Sequence, residues 1–320
     1  MALDKVERLF YHRAMRRAQY TEIHCKTALN RVQGMPFKWS LNPYRGCTHA
    51  CQYCYARVSH TYFGLNAGED FETKILVKVN IAEVLRQELA RPSWAGEPVA
   101  LGTATDCYQP AEARYRLTRR CLELFARFRT PISLVTKGTM VLRDLDVLQE
   151  LTARAGATVY FSVPTVDREL WRRTEPGTPP PEQRLRVMER LVAAGIHAGV
   201  LLAPLLPGLS ATPAQIEQAV RAAAAHGARF IGAGVLHLGP EVREHFLAFL
   251  EREYPTLVEG YRRLYGMRYA PQAYEAQVER RVREAKALAG YQAVLPSRRE
   301  PSAARRPLQL ALPLATSPAG

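Results

Sequence analysis

Short apolar runs of strand length alternate with longer, helix-periodic segments from Trp39 onward, and this alternation constrains the fold more than any other feature of the chain. Strand-length runs fall at residues 75–79, 99–104, 132–135, 158–163, 199–202 and 230–235, with 39–44 as an earlier candidate. Helical patterns lie between or after them at 81–89, 112–128, 142–154, 182–194 and 213–226. Alternating β and α elements imply a parallel sheet with right-handed crossovers. Six or seven such units suit a closed or partly closed barrel, and a doubly wound open sheet is the alternative. Gly156, Gly195 and Gly227 each follow a helical stretch, where a left-handed C-cap turns the chain toward the next strand.

The alternation divides the chain of 320 residues. Residues 1–36 are a basic lead-in, 37–240 the barrel core, 241–290 a helical extension, and 291–320 a tail broken by Pro296, Pro301, Pro307, Pro313 and Pro318. That composition cannot bury a core, so the tail is expected to be disordered. The longest apolar stretch, 199–209, is cut by Pro204 and Pro207 and is too short to span a bilayer. The first residues carry charges where a secretory signal needs an apolar run, so a cytoplasmic protein is expected. There are 44 Lys and Arg against 30 Asp and Glu, a net charge of +14, which favours polyanionic partners such as DNA.

The strongest chemical signal is NPYRGCTHACQYCYAR, residues 42–57. Cys47, Cys51 and Cys54 are spaced C-x3-C-x2-C. A structural zinc takes four ligands at other spacings, and an iron–sulfur cluster normally takes four cysteines. Three thiolates leave one iron open to a substrate or cofactor. His49 lies inside the loop as the other conceivable ligand. Cys25 and Cys121 lack cluster spacing.

This spacing, with the aromatic Tyr53 before the last cysteine and a strand before the loop, resembles the signature of the radical S-adenosylmethionine (SAM) enzymes. The resemblance implies a partial (β/α)6-type, TIM-like barrel with C-terminal helices. It implies a [4Fe–4S] cluster on Cys47, Cys51 and Cys54, whose open iron binds SAM. A one-electron reductant then drives cleavage of SAM to a radical that takes hydrogen from a substrate.

A second segment, LGTATDCYQPAEARYRLTR at 101–119, makes the chain resemble the spore photoproduct lyase group of that superfamily, and above all its DNA repair photolyase-like, Rv2578c-like relatives. The likeness runs over residues 42–237 and includes TKGTMVLRD, FSVPTVD, EPGTPPPEQRL and LLAPLLPGL at strand ends. It implies SAM contacts at Tyr53, Thr105, Lys137 and Ser162, and a radical-relay tyrosine at Tyr55. Asp106, Gln109 and Glu112 form a polar row for substrate, SAM or Arg45. Glu175 and Arg184 are either a rim-closing pair or an ordinary surface pair.

One departure concerns chemistry. The lyase places a hydrogen-donating cysteine three residues before the strand-end aspartate, and here that position is Thr103. Cys107, one residue after Asp106, is either a displaced donor or a small buried hydrophobe. Photolesion repair is therefore not implied even where radical chemistry is. Three functions follow: a radical SAM enzyme on nucleic acid, the same chemistry on a small molecule or peptide, or a non-catalytic metal-binding DNA adaptor. A softer departure is Ala211, where relatives carry an acidic helix cap that Ser210 or Thr212 can replace. In the tail, QLALPL resembles the bacterial sliding-clamp motif, with Gln309, Leu310, Leu312 and Leu314 as its contacts.

Overall fold

The computed structural model describes residues 18–295. In chain order the strands are β1 (Gln19–Ile23), β2 (Asn30–Arg31), β3 (Trp39–Leu41), β4 (Tyr44–Arg45), β5 (Lys74–Lys78), β6 (Val99–Leu101), β7 (Ile132–Thr136), β8 (Ala157–Ser162), β9 (His197–Leu205) and β10 (Ile231–Val235). The main sheet has the order β10-β9-β8-β7-β6-β3-β2, parallel throughout except for β2. Its six parallel strands follow one another in chain order without a reversal. A doubly wound sheet reverses at a switch point, so this is the winding of a partial (β/α)6 barrel. Leu41, Leu101, Leu134, Val159, Phe161, Val200 and Leu202 are buried along these strands, as parallel strands covered by helices require.

One expected barrel strand lies elsewhere. The run at 75–79 forms β5, which joins a separate three-stranded sheet, parallel to β1 and antiparallel to β4. An apolar run encodes a strand but not its partner. The lead-in thus holds a strand, paired from Gln19 to Ile23 along β5, and the Glu88 carboxylate accepts the backbone N–H of Ala28 and of Leu29 (2.8 Å for the latter).

The helices are α1 (Glu69–Thr73), α2 (Ile81–Leu89), α3 (Ala111–Tyr115), α4 (Leu117–Arg127), α5 (Leu145–Arg154), α6 (Arg168–Thr174), α7 (Pro181–Ala193), α8 (Pro213–Ala225), α9 (Pro240–Glu253), α10 (Val258–Leu264) and α11 (Gln272–Leu288). Helices α7, α8 and α9 open on proline, whose fixed φ and missing N–H suit a first turn. Thr212 caps α8 through the N–H of Gln215, while Ser210 accepts from Leu206 instead. The single helix expected at 112–128 is split at Arg116, which has φ of +52°. Glu112 explains the break: its carboxylate accepts the N–H of Thr118 at 2.9 Å and so caps α4 from the preceding turn.

Helices α9 and α10 do more than extend the barrel. Phe246, Phe249, Leu250, Tyr261 and Tyr265 form an apolar cluster with Cys51 and Tyr53, so they cover the cysteine loop. Among the described residues, no helix is long and apolar enough to cross a membrane.

Candidate active site

The cysteine loop leaves β4 through Gly46, whose φ is +78°. A Cβ there would stand 2.9 Å from the His60 ring, so glycine is required on both counts. Cys47 and Cys51 are buried and Cys54 is half-buried. The backbone around them is held from several elements. Gln109 donates to Gly46 O at 2.9 Å and accepts from Thr48 N at 3.2 Å. Arg57 donates twice to Cys51 O, at 3.1 and 2.9 Å. Gln52 N donates to Thr174 O, and Gly177 N to His49 O. At Gly177 a Cβ would lie 2.1 Å from Thr48 O, so the turn after α6 can approach the loop only as glycine.

Burial pushes the Cys51 thiol well up, against the pull of Lys137. Burial and neighbouring Cys47 raise Cys54, against Arg57. Such thiols ionise when a bound metal supplies the missing positive charge. Among the described residues, no three His, Cys, Asp or Glu side chains converge as one metal ion demands. The donor set is three thiols within eight residues, one short of the four ligands a structural zinc takes, and it fits a cluster that leaves one iron open. Among the described residues, the buried Thr48 Oγ1 and His49 Nε2 of the same loop have no hydrogen-bond partner, which suits a polar group seated there.

Next to the loop, the side chains of Tyr53, Lys137 and Arg184 meet at Glu175. Tyr53 donates its hydroxyl to Glu175 Oε1, and Lys137 Nζ lies 3.2 Å from the same oxygen. Lys137 also bonds Ser162 Oγ, which donates to Ala203 O at 2.8 Å. Its ammonium sits 5.7 Å from the Tyr53 ring centroid. On the other side Arg184 reaches Glu175 Oε2 at 2.5 Å and Ser162 O at 2.9 Å. Glu175 is 1% exposed. Burial alone would raise its carboxyl, yet Arg184, Lys137 and the Tyr53 hydroxyl outweigh that and hold it at about 2. The pair Glu175–Arg184 is therefore part of the interior, not a surface pair.

Asp106 ties the end of β6 to the end of β7. Its carboxylate accepts from Thr136 Oγ1 at 2.7 Å, Tyr108 N at 2.8 Å and Lys137 N at 2.6 Å, and lies 3.3 Å from His49 Nδ1. Burial opposes its charge, but His49 and these donors hold it at about 2. Burial likewise works against charging His49, while Cys47 and Asp106 raise it to about 10.

The residues expected from sequence thus fall into two groups. Tyr53, Lys137 and Ser162 meet in one network. Thr105 stands apart from it, donating to Tyr44 O at 3.2 Å. Tyr55 is 53% exposed and donates its hydroxyl to Thr103 O. Thr103 is itself fixed by Asn42, which donates to its hydroxyl at 3.1 Å and accepts from Ala104 N at 2.9 Å. Cys107 is fully buried in the main core, with its thiol pushed well up by burial. Gln109 braces the cysteine loop, and Glu112 faces Tyr44, Thr118 and Arg143 rather than Arg45, whose guanidinium lies over Phe63. The sequence offered Asp106 as part of a polar row and Glu175 as a partner of Arg184, but it did not show that Glu175 joins Tyr53 and Lys137 or that Asp106 holds the backbone of Lys137. The only signal was an acidic residue at a strand-end turn beside glycine or a hydroxyl.

The pattern of the Radical SAM superfamily matches residues 41–218. The uncharacterized protein Rv2578c of Mycobacterium tuberculosis strain H37Rv is 41% identical over 290 residues, 88% of this chain and 85% of that protein. The uncharacterized protein MJ0683 of Methanocaldococcus jannaschii is 27% identical over 188 residues, 59% of this chain and 68% of that protein. Among solved structures, spore photoproduct lyase complexed with dinucleoside spore photoproduct superposes with a TM-score of 0.64 at 17% identity, covering 90% of this chain and 83% of that one. A cysteine-to-serine mutant of the same lyase gives 0.65 at 17% identity with the same coverage. Identity this low speaks to a shared fold.

Proposed function

The chain belongs to the radical SAM superfamily, and from that membership we propose that Cys47, Cys51 and Cys54 hold a [4Fe–4S] cluster beside a SAM site formed by Tyr53, Lys137 and Ser162, with Thr105 at its edge. The protein is a radical SAM enzyme. With both bound and one electron supplied, the cluster and SAM would yield methionine and a 5′-deoxyadenosyl radical able to take a hydrogen atom from the substrate. The observation that carries this reading is the convergence of Tyr53 and Lys137 on Glu175, with Ser162 bonded to the same Lys137 ammonium, beside a three-cysteine loop.

Each side chain then has a task. Lys137 offers its ammonium to the SAM carboxylate, and Ser162 positions that ammonium. Tyr53 presents a ring to the cofactor while Glu175 fixes its hydroxyl. Asp106 holds the backbone of Lys137 in place. The apolar cover from α9 and α10 keeps water from the loop. Of the two catalytic candidates, Tyr55 carries the hydrogen-relay role, because its phenol is exposed at the rim. Cys107, sealed in the core, serves packing.

The substrate we infer is nucleic acid. The net charge of +14 supports it, and so does the solved lyase that carries a dinucleoside photoproduct on the same fold. An external one-electron donor is required, and the cytoplasm is the fitting compartment for a reduced cluster. The sequence divides best as lead-in 1–36, barrel 37–240, helical cover 241–290 and tail 291–320. We infer further that Gln309, Leu310, Leu312 and Leu314 bind the bacterial sliding clamp. They lie outside the described residues, and the support is their spacing alone. A pull-down in which the clamp retains wild type but not Gln309→Ala with Leu312→Ala supports that partner, and equal or absent capture rejects it.

The test of the enzyme reading is anaerobic reconstitution with iron and sulfide, followed by reduction and SAM. We expect 5′-deoxyadenosine from wild type and none from Lys137→Met at low SAM. Equal turnover in both would remove Lys137 from the site.

A further inference from the structure

The Phe, Tyr and Trp side chains exposed among the described residues are Tyr55, Tyr62, Phe63 and Tyr269, and they fall on two segments only. One is the 3-10 helix Tyr55–Phe63 that follows the cysteine loop. The other is the connection between α10 and α11, where Tyr269 is 61% exposed. The two segments meet through His237, just past β10. The His237 ring stacks on Tyr269 with centroids 4.6 Å apart and planes 14° apart, and lies 6.4 Å from the Tyr55 ring. The N–H of Leu238 donates to Arg268 O at 2.9 Å, and Arg243 donates to Met267 O at 3.0 Å, so the backbone just before Tyr269 is held at two successive residues. At its other end the Tyr55 hydroxyl is bonded beyond β6. The row of rings therefore crosses the barrel rim from the β6 side to the β10 side. Arg45 places a guanidinium 4.6 Å over Phe63 near the first cysteine.

Rings left open to water beside a catalytic mouth mark a binding surface. The chain's charge selects the occupant: a protein of net charge +14 attracts polyanions and repels basic peptides. A polyanion with flat, apolar faces is a nucleic-acid strand, and its faces are open only where bases are unpaired. We propose that Tyr55, His237 and Tyr269 form a stacking platform for unpaired bases of a single nucleic-acid strand at the mouth of the barrel. This rests on the nucleic-acid reading above and adds a surface and a strand state to it.

The experiment is fluorescence anisotropy of a labelled single-stranded oligodeoxynucleotide with the full, reconstituted chain, measured across a range of salt. Wild type should bind the single strand more tightly than the same sequence as duplex. Tyr269→Ala and His237→Ala should each weaken binding roughly tenfold at every salt concentration, because stacking releases no counterions and leaves the salt slope unchanged. Tyr269→Phe should keep wild-type affinity. SAM cleavage without substrate should be the same in Tyr269→Ala as in wild type, which shows that the site is intact. If wild type binds the oligonucleotide and Tyr269→Ala binds it equally, or changes only the salt slope, the platform is overturned and the nucleic-acid reading stands. If wild type binds neither strand form, both fall together.

Discussion

Glu175→Gln keeps the shape of the central carboxylate and removes its charge, and its cost follows from the structure. In the folded protein the Glu175 carboxyl sits at about 2 against an ordinary 4.5. At about 1.4 kcal/mol per pH unit, that difference corresponds to roughly 3 kcal/mol of stability. Because the folded value is the depressed one, this contribution is present in full above pH 4.5 and disappears as pH falls toward 2. That figure already contains the attraction of the buried Arg184 and the nearly buried Lys137, which lose their counter-charge in the variant. Urea unfolding of the unreconstituted chain should show Glu175→Gln less stable by roughly 3 kcal/mol at pH 7, and the gap should close between pH 4.5 and 2. In the reconstituted enzyme the same substitution should raise the KM for SAM while leaving iron content intact. A gap at pH 7 below about 0.5 kcal/mol, or one that does not narrow in acid, would refute the coupling assigned to Glu175.

Three further outcomes are expected. Lys78, buried and bonded to Asn42 O, is lowered to about 8 by burial and by Arg45, so its burial weakens the fold below pH 8 and that cost lifts between pH 8 and 10.5. The stability difference between wild type and Lys78→Met should therefore move toward wild type by roughly 3 kcal/mol across that window, and a flat difference would count against the assignment. Gly177→Ala forces a Cβ onto Thr48 O, so it should displace the cysteine loop and lower iron loading, while Gly260→Ala, where a Cβ meets nothing within 4 Å, should not. Single alanine substitutions at Cys47, Cys51 and Cys54 should each abolish the cluster's visible absorption, whereas Cys25→Ala and Cys121→Ala should retain it.

Much of this arrangement was legible in the sequence because it depends on local patterns. Prolines 181, 213 and 240 open helices, and Gly195 and Gly227 close them with φ of +86° and +69°. The strand that carries Ser162 and the one that ends just before Lys137 follow from the apolar runs at 158–163 and 132–135. What was not legible depends on partners far along the chain. The run that became β5 has the same pattern as a barrel strand, and only its pairing with β1 and β4 separates it. The break at Arg116 is masked because Leu117 and Cys121 continue the apolar spacing across it. Whether Glu175 and Arg184 close the rim or pair at the surface stays open in the sequence until Lys137 and Tyr53 are seen beside Glu175. The stack of His237 on Tyr269 joins two segments whose sequences carry no mark of each other.

The most direct test of the central claim is 5′-deoxyadenosine formation by the anaerobically reconstituted, reduced full chain, measured together with iron and sulfide content. The account predicts about four irons and four sulfides per chain and SAM-dependent 5′-deoxyadenosine, both lost in Cys51→Ala. A fully loaded, reduced protein that never cleaves SAM, or a Cys51→Ala protein that loads and cleaves like wild type, would contradict it.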